Sequence, residues 1–186
     1  MTEYFFLCQN LYEQQGNIEI VGHTPVTSSF DWLRGAKFTQ PFPKETLMLD
    51  PSYGKDLPDL FDTSVPVMSK RLLASLQAAG VDNVDAYDVA LQRIDDGTTF
   101  DGHVAFNVLG CLDAIDPKKS AHRLRFGKPY YTGAITIDPS RAHDLSLFRL
   151  ALGPPFVVIA DRIAEALRGQ PFRGVTIMPT TAYQGA

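Results

Sequence analysis

The residues that most often perform catalytic or metal chemistry are few in this sequence and lie far apart. The four histidines share no C-x-x-C, H-E-x-x-H or H-x-x-x-H spacing with one another or with cysteine. The chain has no G-x-S-x-G motif, and the segments before its two predicted helices lack phosphate-binding glycines. The strong linear signals for zinc binding, serine nucleophiles and nucleotide binding are therefore absent. The histidines are His23, His103, His122 and His143.

Three aspartates, Asp56, Asp59 and Asp62, recur at a spacing of three residues, which would place their carboxylates on one face of a helix. Pro58 lies between them and disfavours a helix, and the segment lacks the central glycine and final glutamate of a calcium loop. We interpret these side chains as solvated or turn-capping, and we predict no bound metal and no cofactor.

The two cysteines, Cys8 and Cys111, lie far apart in apolar runs. This arrangement predicts buried free thiols rather than a disulfide framework. Apolar neighbours raise the pKa of a thiol, so Cys111 is a poor candidate for a nucleophile. Ser120 and His122 lie two residues apart in a basic loop, where such a pair is an ordinary polar feature.

Hydrophobic patterning predicts an α+β fold, with one domain over residues 1–186 and a mostly antiparallel sheet flanked by two main helices. The first helix begins at Ser69 and ends at Gly80, and the second covers 161–168. Residues 23–66 contain six prolines among many aromatic side chains. Prolines at this density exclude a long helix, so we predict an ordered Pro-rich wrapping segment that places aromatic rings on the core.

The two predicted helices lie in sequence segments that resemble each other. Residues 67–72 (VMSKRL) stand at a constant offset from residues 158–163 (VIADRI), and the register continues through Leu76 and Leu167 to Val84 and Val175. Each copy is predicted to be a short strand, an amphipathic helix, a turn and a second strand. The similarity is either a coincidence of a common pattern or a duplicated unit that forms two related ends of a sheet.

Charge is unevenly distributed along the chain, although the total of 17 Lys+Arg against 21 Asp+Glu gives a net charge of only −4. Residues 82–101 contain six aspartates and one arginine, whereas residues 118–133 contain five basic residues and no acid. The overall acidity argues against a protein whose main task is to neutralise nucleic-acid phosphates. The loop 118–131 mixes cations with aromatic rings, which leaves open a nucleic-acid surface, contact with an acidic protein or a solvated loop.

No apolar run approaches the ~18 residues that cross a bilayer, and residues 1–8 lack the basic region of a secretory signal. We therefore expect a cytoplasmic protein that does not bind a membrane. The sequence does not indicate an oligomeric state.

Several stretches from about residue 30 onward share their order and spacing with one known family. They are Trp32 with Gly35 and Asp50, residues 65–72, 78–84, 106–116 and 147–150, and residues 158–163 through to 174–175. Together they resemble an immunity-protein family of bacterial polymorphic toxin systems, formerly a domain of unknown function. The family usually has a small polar capping residue where this chain has Ala160. We therefore expect Asp161 to stabilise the start of the second helix instead.

The resemblance implies an antidote that binds a cognate, co-encoded toxin and blocks it, with no catalytic residues. Many bacterial toxins have basic clefts, so we expect acidic side chains to steer association. The predicted contact residues are Asp85, Asp88, Asp95, Asp96 and Asp101, with Asp56, Asp59 and Asp62 as second choice. Two alternatives stay open: an enzyme that reverses a modification made by the toxin, and a nucleic-acid-binding module that uses the 118–131 basic loop.

Overall fold

Strands dominate the computed structural model, which describes residues 2–10, 16–22 and 30–185. This part of the chain has two α-helices, α1 (Lys70–Ala78) and α2 (Asp161–Leu167), and three short 3-10 turns. Its strands, in chain order, are β1 (Tyr4–Gln9), β2 (Gly16–Asn17), β3 (Glu19–Gly22), β4 (Glu45–Asp50), β5 (Gly54–Asp56), β6 (Leu60–Phe61), β7 (Val67–Ser69), β8 (Val84–Arg93), β9 (Thr99–Phe100), β10 (His103–Val108), β11 (Cys111–Leu112), β12 (His122–Arg125), β13 (Lys128–Tyr131), β14 (Leu147–Leu150), β15 (Val157–Ala160) and β16 (Val175–Pro179). No helix in these ranges is both long and apolar enough to cross a membrane.

Within the described ranges the strands form two main sheets. The smaller sheet has the order β11-β14-β15-β1-β16, and the larger has the order β3-β4-β8-β10-β7-β6 with β9 beside β8. Neighbouring strands are antiparallel except for the pairs β4–β8, β11–β14 and the short pair β2–β5. The mixed α+β fold with a mostly antiparallel sheet and two helices is therefore confirmed.

The two sheets approach each other at both ends and leave a nearly closed, barrel-like arrangement. On one side the amide of Asp59 donates to the carbonyl of Arg173, which links the segment before β6 to the segment before β16. On the other side the amide of Arg149 in β14 donates to the carbonyl of Gly110, just after β10. The enclosed hydrophobic cluster contains residues of both sheets together with the inner faces of α1 and α2.

The similarity between the two helix-containing segments corresponds to a structural repeat. The two strands of the unit β7–α1–β8 pair with the central strand β10, one on each side. The two strands of the unit β15–α2–β16 pair with the central strand β1 in the same way. Val104 of β10 is paired with both Met68 and Asp88. Phe5 of β1 is paired with the residues at the equivalent positions of β15 and β16. Identical pairing registers favour a duplicated unit over coincidence.

The two helices are joined by reciprocal hydrogen bonds from equivalent arginines. Arg71 at the start of α1 donates through Nη2 to the carbonyl of Pro171, 3.0 Å away in the turn after α2. Arg162 at the start of α2 donates through Nη1 to the carbonyl of Ala79, 2.8 Å away at the end of α1. Ala79 is the C-cap of α1, so its carbonyl has no intrahelical partner, whereas Pro171 lies four residues beyond the end of α2.

The helices begin differently, as the sequence predicts. The Oγ of Ser69 accepts a hydrogen bond from the amide of Leu72 at 3.0 Å, which is a standard N-cap. Ala160 offers no side-chain cap at the equivalent position. The Oδ1 of Asp161 accepts from the amide of Arg162 at 2.8 Å instead, and its negative charge is favourable in the first turn.

The Pro-rich segment divides into two parts, while residues 23–29 lie outside the described ranges. In its first part, the rings of Phe30, Trp32, Phe38 and Phe42 pack together beside Tyr87 of β8. Its second part supplies strands β4, β5 and β6, and β4 joins the larger sheet parallel to β8. Alternating buried and partly exposed residues in the sequence ETLMLD explain why β4 forms there.

Gly35 fixes where the wrapping segment lies. It has φ of +70°, and a Cβ at this position would lie only 2.4 Å from the amide nitrogen of Cys111. The amide of Gly110 also donates to the carbonyl of Gly35 at 2.9 Å. Only glycine permits this close approach of two backbones.

Candidate partner-binding surfaces

Strand alternation divides the first predicted acidic set between two faces of the larger sheet. Asp85 lies on the aromatic side of β8, and its carboxylate is 3.3 Å from the hydroxyl of Tyr87. Asp88 lies on the opposite face, because side chains an odd number of positions apart point to opposite sides of a strand. Its side chain is 89% exposed and lies 3.8 Å from Lys70 Nζ. These two aspartates do not share one surface.

The turn after β8 brings Asp95 and Asp96 next to acids from distant parts of the chain, whereas the exposed Asp101 lies apart from them, between β9 and β10. The amide of Ile94 donates to the carbonyl of Leu49 at 3.0 Å, which holds the turn against the end of β4. Asp50 follows directly and is paired with Glu19 across the β3–β4 ladder. We define the acidic corner as Glu19, Asp50, Ile94, Asp95 and Asp96. Ile94, 51% exposed, is its apolar member.

Local hydrogen bonds stabilise the charged form of the three aspartates in the acidic corner. Bonds from Arg93 to both oxygens of Asp95 lower the pKa of that carboxyl. Hydrogen bonds from Thr98 lower the pKa of Asp96. Hydrogen bonds from Ser52 lower the pKa of Asp50 in the same way. These three side chains therefore carry their charge at neutral pH, while Arg93 offsets one of the three.

Asp56 and Asp59 of the second predicted set have different surroundings. Asp56 forms an ion pair with Arg173 in which both side chains are more than half exposed. Asp59 is only 6% exposed and accepts from Ser69 Oγ at 2.6 Å, Arg71 Nη2 at 2.5 Å and the amide of Arg173 at 2.8 Å. Its carboxylate thus connects the start of α1 to the segment before β16.

Asp62 also has its carboxylate inside the fold. It accepts from the amide of Gln9 at 2.8 Å, and its own amide donates to the side-chain oxygen of Gln9 at 3.1 Å. Burial is the main influence on this carboxyl and raises its pKa. The carboxylates of Asp59 and Asp62 are used internally, whereas the exposed aspartates of both sets stay predictions as partner contacts.

Residues 122–131 form a second distinctive surface, which we name the basic hairpin. Strands β12 and β13 pair antiparallel around a turn in which Phe126 and Gly127 have φ of +52° and +76°. Phe126 at the tip is 94% exposed. The guanidinium carbon of Arg125 lies 5.8 Å from the ring centroids of both Phe126 and Tyr130. The sequence predicts a loop here, whereas the structure has a regular hairpin.

The groups considered for chemistry are not gathered at one site: some are buried, whereas His122 is exposed at the start of the basic hairpin. His103 is buried with Nε2 2.9 Å from the carbonyl of Pro58, and burial lowers its pKa. Cys8 and Cys111 are free, and burial raises the pKa of Cys8 to about 12 and also raises that of Cys111. Among the described residues, no group of three or more His, Cys, Asp or Glu side chains could hold a metal ion. His23 lies outside these residues.

Sequence reasoning misses Glu19 and Asp50 as members of the acidic corner. They reach the turn after β8 only because β3 pairs with β4 and β4 pairs with β8, and a linear charge count does not contain those pairings. The terminal acid of the alternating ETLMLD segment is the one local signal. Neither the protein-family models nor the curated proteins include a match to this chain, so function has to be argued from these surfaces.

Proposed function

We propose that the chain is a single-domain, cytoplasmic immunity protein that binds a cognate bacterial toxin and neutralises it by stoichiometric inhibition. The family resemblance supports this proposal, and the acidic corner is the structural observation that carries it. A set of ionised carboxylates around an exposed apolar side chain has the composition of a charged rim around an anchor. Its complement is a basic cleft, such as one that a toxin uses to hold nucleic acid or nucleotides.

The corner is also held rigidly, which favours binding. The amide of Arg93 donates to the carbonyl of Thr98 at 2.9 Å across the turn, and the amide of Ile94 donates to the carbonyl of Leu49. A surface already ordered in the free protein loses little conformational entropy when a partner binds. Val21 of β3 is half exposed two residues from Glu19 and would extend the apolar contact.

Charge reversal at the corner tests the proposal. In the variant Asp95→Lys/Asp96→Lys, we expect the association rate with the product of the adjacent gene to fall about tenfold at low salt, because steering charges act mainly on association. The matched control is Asp82→Lys/Asp113→Lys, which makes the same change in net charge at exposed positions outside the corner. Equal association rates and equal salt dependence in the two variants would exclude the corner as the interface.

A second candidate function, binding of single-stranded nucleic acid, is favoured by the basic hairpin. Exposed rings beside arginine provide stacking surfaces and phosphate contacts together. A fluorescence-anisotropy titration with a labelled oligonucleotide at physiological salt tests it. Salt-dependent binding that is lost in Arg123→Glu/Arg125→Glu would support it, and no binding by the unmodified chain would reject it.

A further inference from the structure

A pocket of about 270 Å³ lies beside β14, away from the acidic corner. Residues of the wrapping segment, of the connection between β6 and β7, of β14 and of the loop before β15 line it. Its apolar walls are formed by Leu33, Pro66, Pro155 and Phe156, and its charged residues are Asp62 and Arg149. The pocket thus combines an apolar lining with a buried cation.

Arg149 is an unusual residue to find inside the fold. It is only 3% exposed, and its guanidinium carbon lies 5.9 Å from the ring centroid of Phe106. Nη1 donates to the carbonyl of Pro155 at 2.5 Å, but Nε is buried with no hydrogen-bond partner. The ion pairs found across residues 2–10, 16–22 and 30–185 do not include Arg149.

The charge of Arg149 is incompletely compensated. A guanidinium keeps its proton in proteins, and a buried cation without a close counter-ion is costly. Burial lowers the pKa of Arg149, and the more distant Asp62 only partly opposes that effect. Asp62 is itself a weak counter-charge, because burial raises its pKa and so favours its neutral form.

We propose that this pocket binds a carboxylate carried on an apolar stem, with the guanidinium of Arg149 as its counter-ion and Leu33 and Phe156 against the stem. Arginine matches the planar geometry of a carboxylate with parallel N–H donors. A phosphate dianion fits less well, since the pocket offers only one cation to balance its two negative charges. This inference concerns a ligand of the chain itself and does not depend on the toxin.

Titration of the isolated full-length chain with benzoate tests the proposal, with benzyl alcohol as a neutral probe of similar shape. We expect saturable 1:1 binding of benzoate, binding of benzyl alcohol at least about tenfold weaker, and no binding of inorganic phosphate. Leu33→Glu places a tethered carboxylate at the pocket and should weaken benzoate binding about tenfold or more. Leu33 is half exposed, so this variant should fold normally.

The matched control is Leu124→Glu, the same substitution at an exposed site on the basic hairpin, which should bind benzoate like the unmodified chain. Thermal unfolding of both variants verifies that they are folded. Benzoate and benzyl alcohol binding equally well would overturn the proposal. So would unchanged benzoate affinity in Leu33→Glu, or no saturable binding of benzoate.

Two sources share this chemistry: a free organic acid and an acidic side chain of another protein. Mass spectrometry of small molecules released from the purified chain identifies the first source. Competition between benzoate and the product of the adjacent gene identifies the second. Either finding supports a carboxylate site. The result of the benzoate titration does not depend on the toxin.

Discussion

Replacing Asp59 with alanine should destabilise the fold strongly, because this carboxylate joins the two copies of the repeat. It accepts from Ser69 at the cap of α1, from Arg71 in the first turn of α1, and from the amide of Arg173 before β16. In Asp59→Ala these donors lose their acceptor. The seryl hydroxyl is buried in the protein, so water cannot replace the carboxylate there without rearrangement.

The magnitude follows from which donors can be rehydrated. Arg71 is half exposed and regains water, so its ion pair contributes little to the loss. The bonds from Ser69 and from the amide of Arg173 each have a charged acceptor and are worth about 1.5–3 kcal/mol. We therefore expect Asp59→Ala to lower the free energy of unfolding by about 3 kcal/mol or more.

Urea denaturation at pH 7 measures this loss, followed by the fluorescence of the single tryptophan, Trp32, which is buried in the aromatic cluster. The matched control is Asp56→Ala, which removes an exposed ion pair with Arg173 and should cost less than about 1 kcal/mol. Equal losses in the two variants would refute the assignment of Asp59 as the connecting carboxylate.

The pH dependence gives an independent check on the same residue. Burial alone would raise the pKa of Asp59, but hydrogen bonds from Arg71, Ser69 and Arg173 outweigh it and hold the pKa below its ordinary value. Its contribution to stability is therefore complete above the unfolded pKa of about 3.9 and is lost as pH falls through the folded value. The stability difference between the unmodified chain and Asp59→Ala should shrink below about pH 4.

Two further predictions concern backbone fit and thiol reactivity. Gly35→Ala should lower the free energy of unfolding by about 2 kcal/mol or more, since φ is positive and the new Cβ would collide with Cys111. Gly102→Ala, which has open space around it, should be nearly neutral, and equal urea midpoints for the two variants would contradict this reasoning. Cys8, with its pKa raised to about 12, should react with iodoacetamide at pH 8 on the order of a thousandfold more slowly than after unfolding in urea. Comparable labelling rates in the two states would disprove its burial.

The helices and the class of fold could be predicted from the sequence because their signals are local. Ser69 caps α1, and the spacing of Leu72 and Leu76 marks its inner face. The repeat is also visible in the sequence as a constant offset between the two segments, but its meaning depends on the strand pairing. Only the structure shows that β10 and β1 occupy equivalent central positions.

The candidate sites were harder to predict because they depend on long-range pairing and on the face to which each side chain points. Asp85 and Asp88 belong to one acidic run but lie on opposite faces of β8. Asp59 has the same side chain as its exposed neighbour Asp56, and only the contact with Arg173 and α1 reveals its role. Arg149 does have a local signal, because it is a cation inside the otherwise apolar strand β14.

Titration of the toxic activity against increasing amounts of this chain tests the proposed function most directly. Under this proposal the product of the adjacent gene is the protein to assay as the toxin, and a complex isolated by co-purification gives the stoichiometry. Stoichiometric inhibition predicts that activity falls linearly and disappears at one equivalent, with loss of protection in Asp95→Lys/Asp96→Lys. Protection by amounts far below one equivalent, or without formation of a complex, would contradict inhibition by binding.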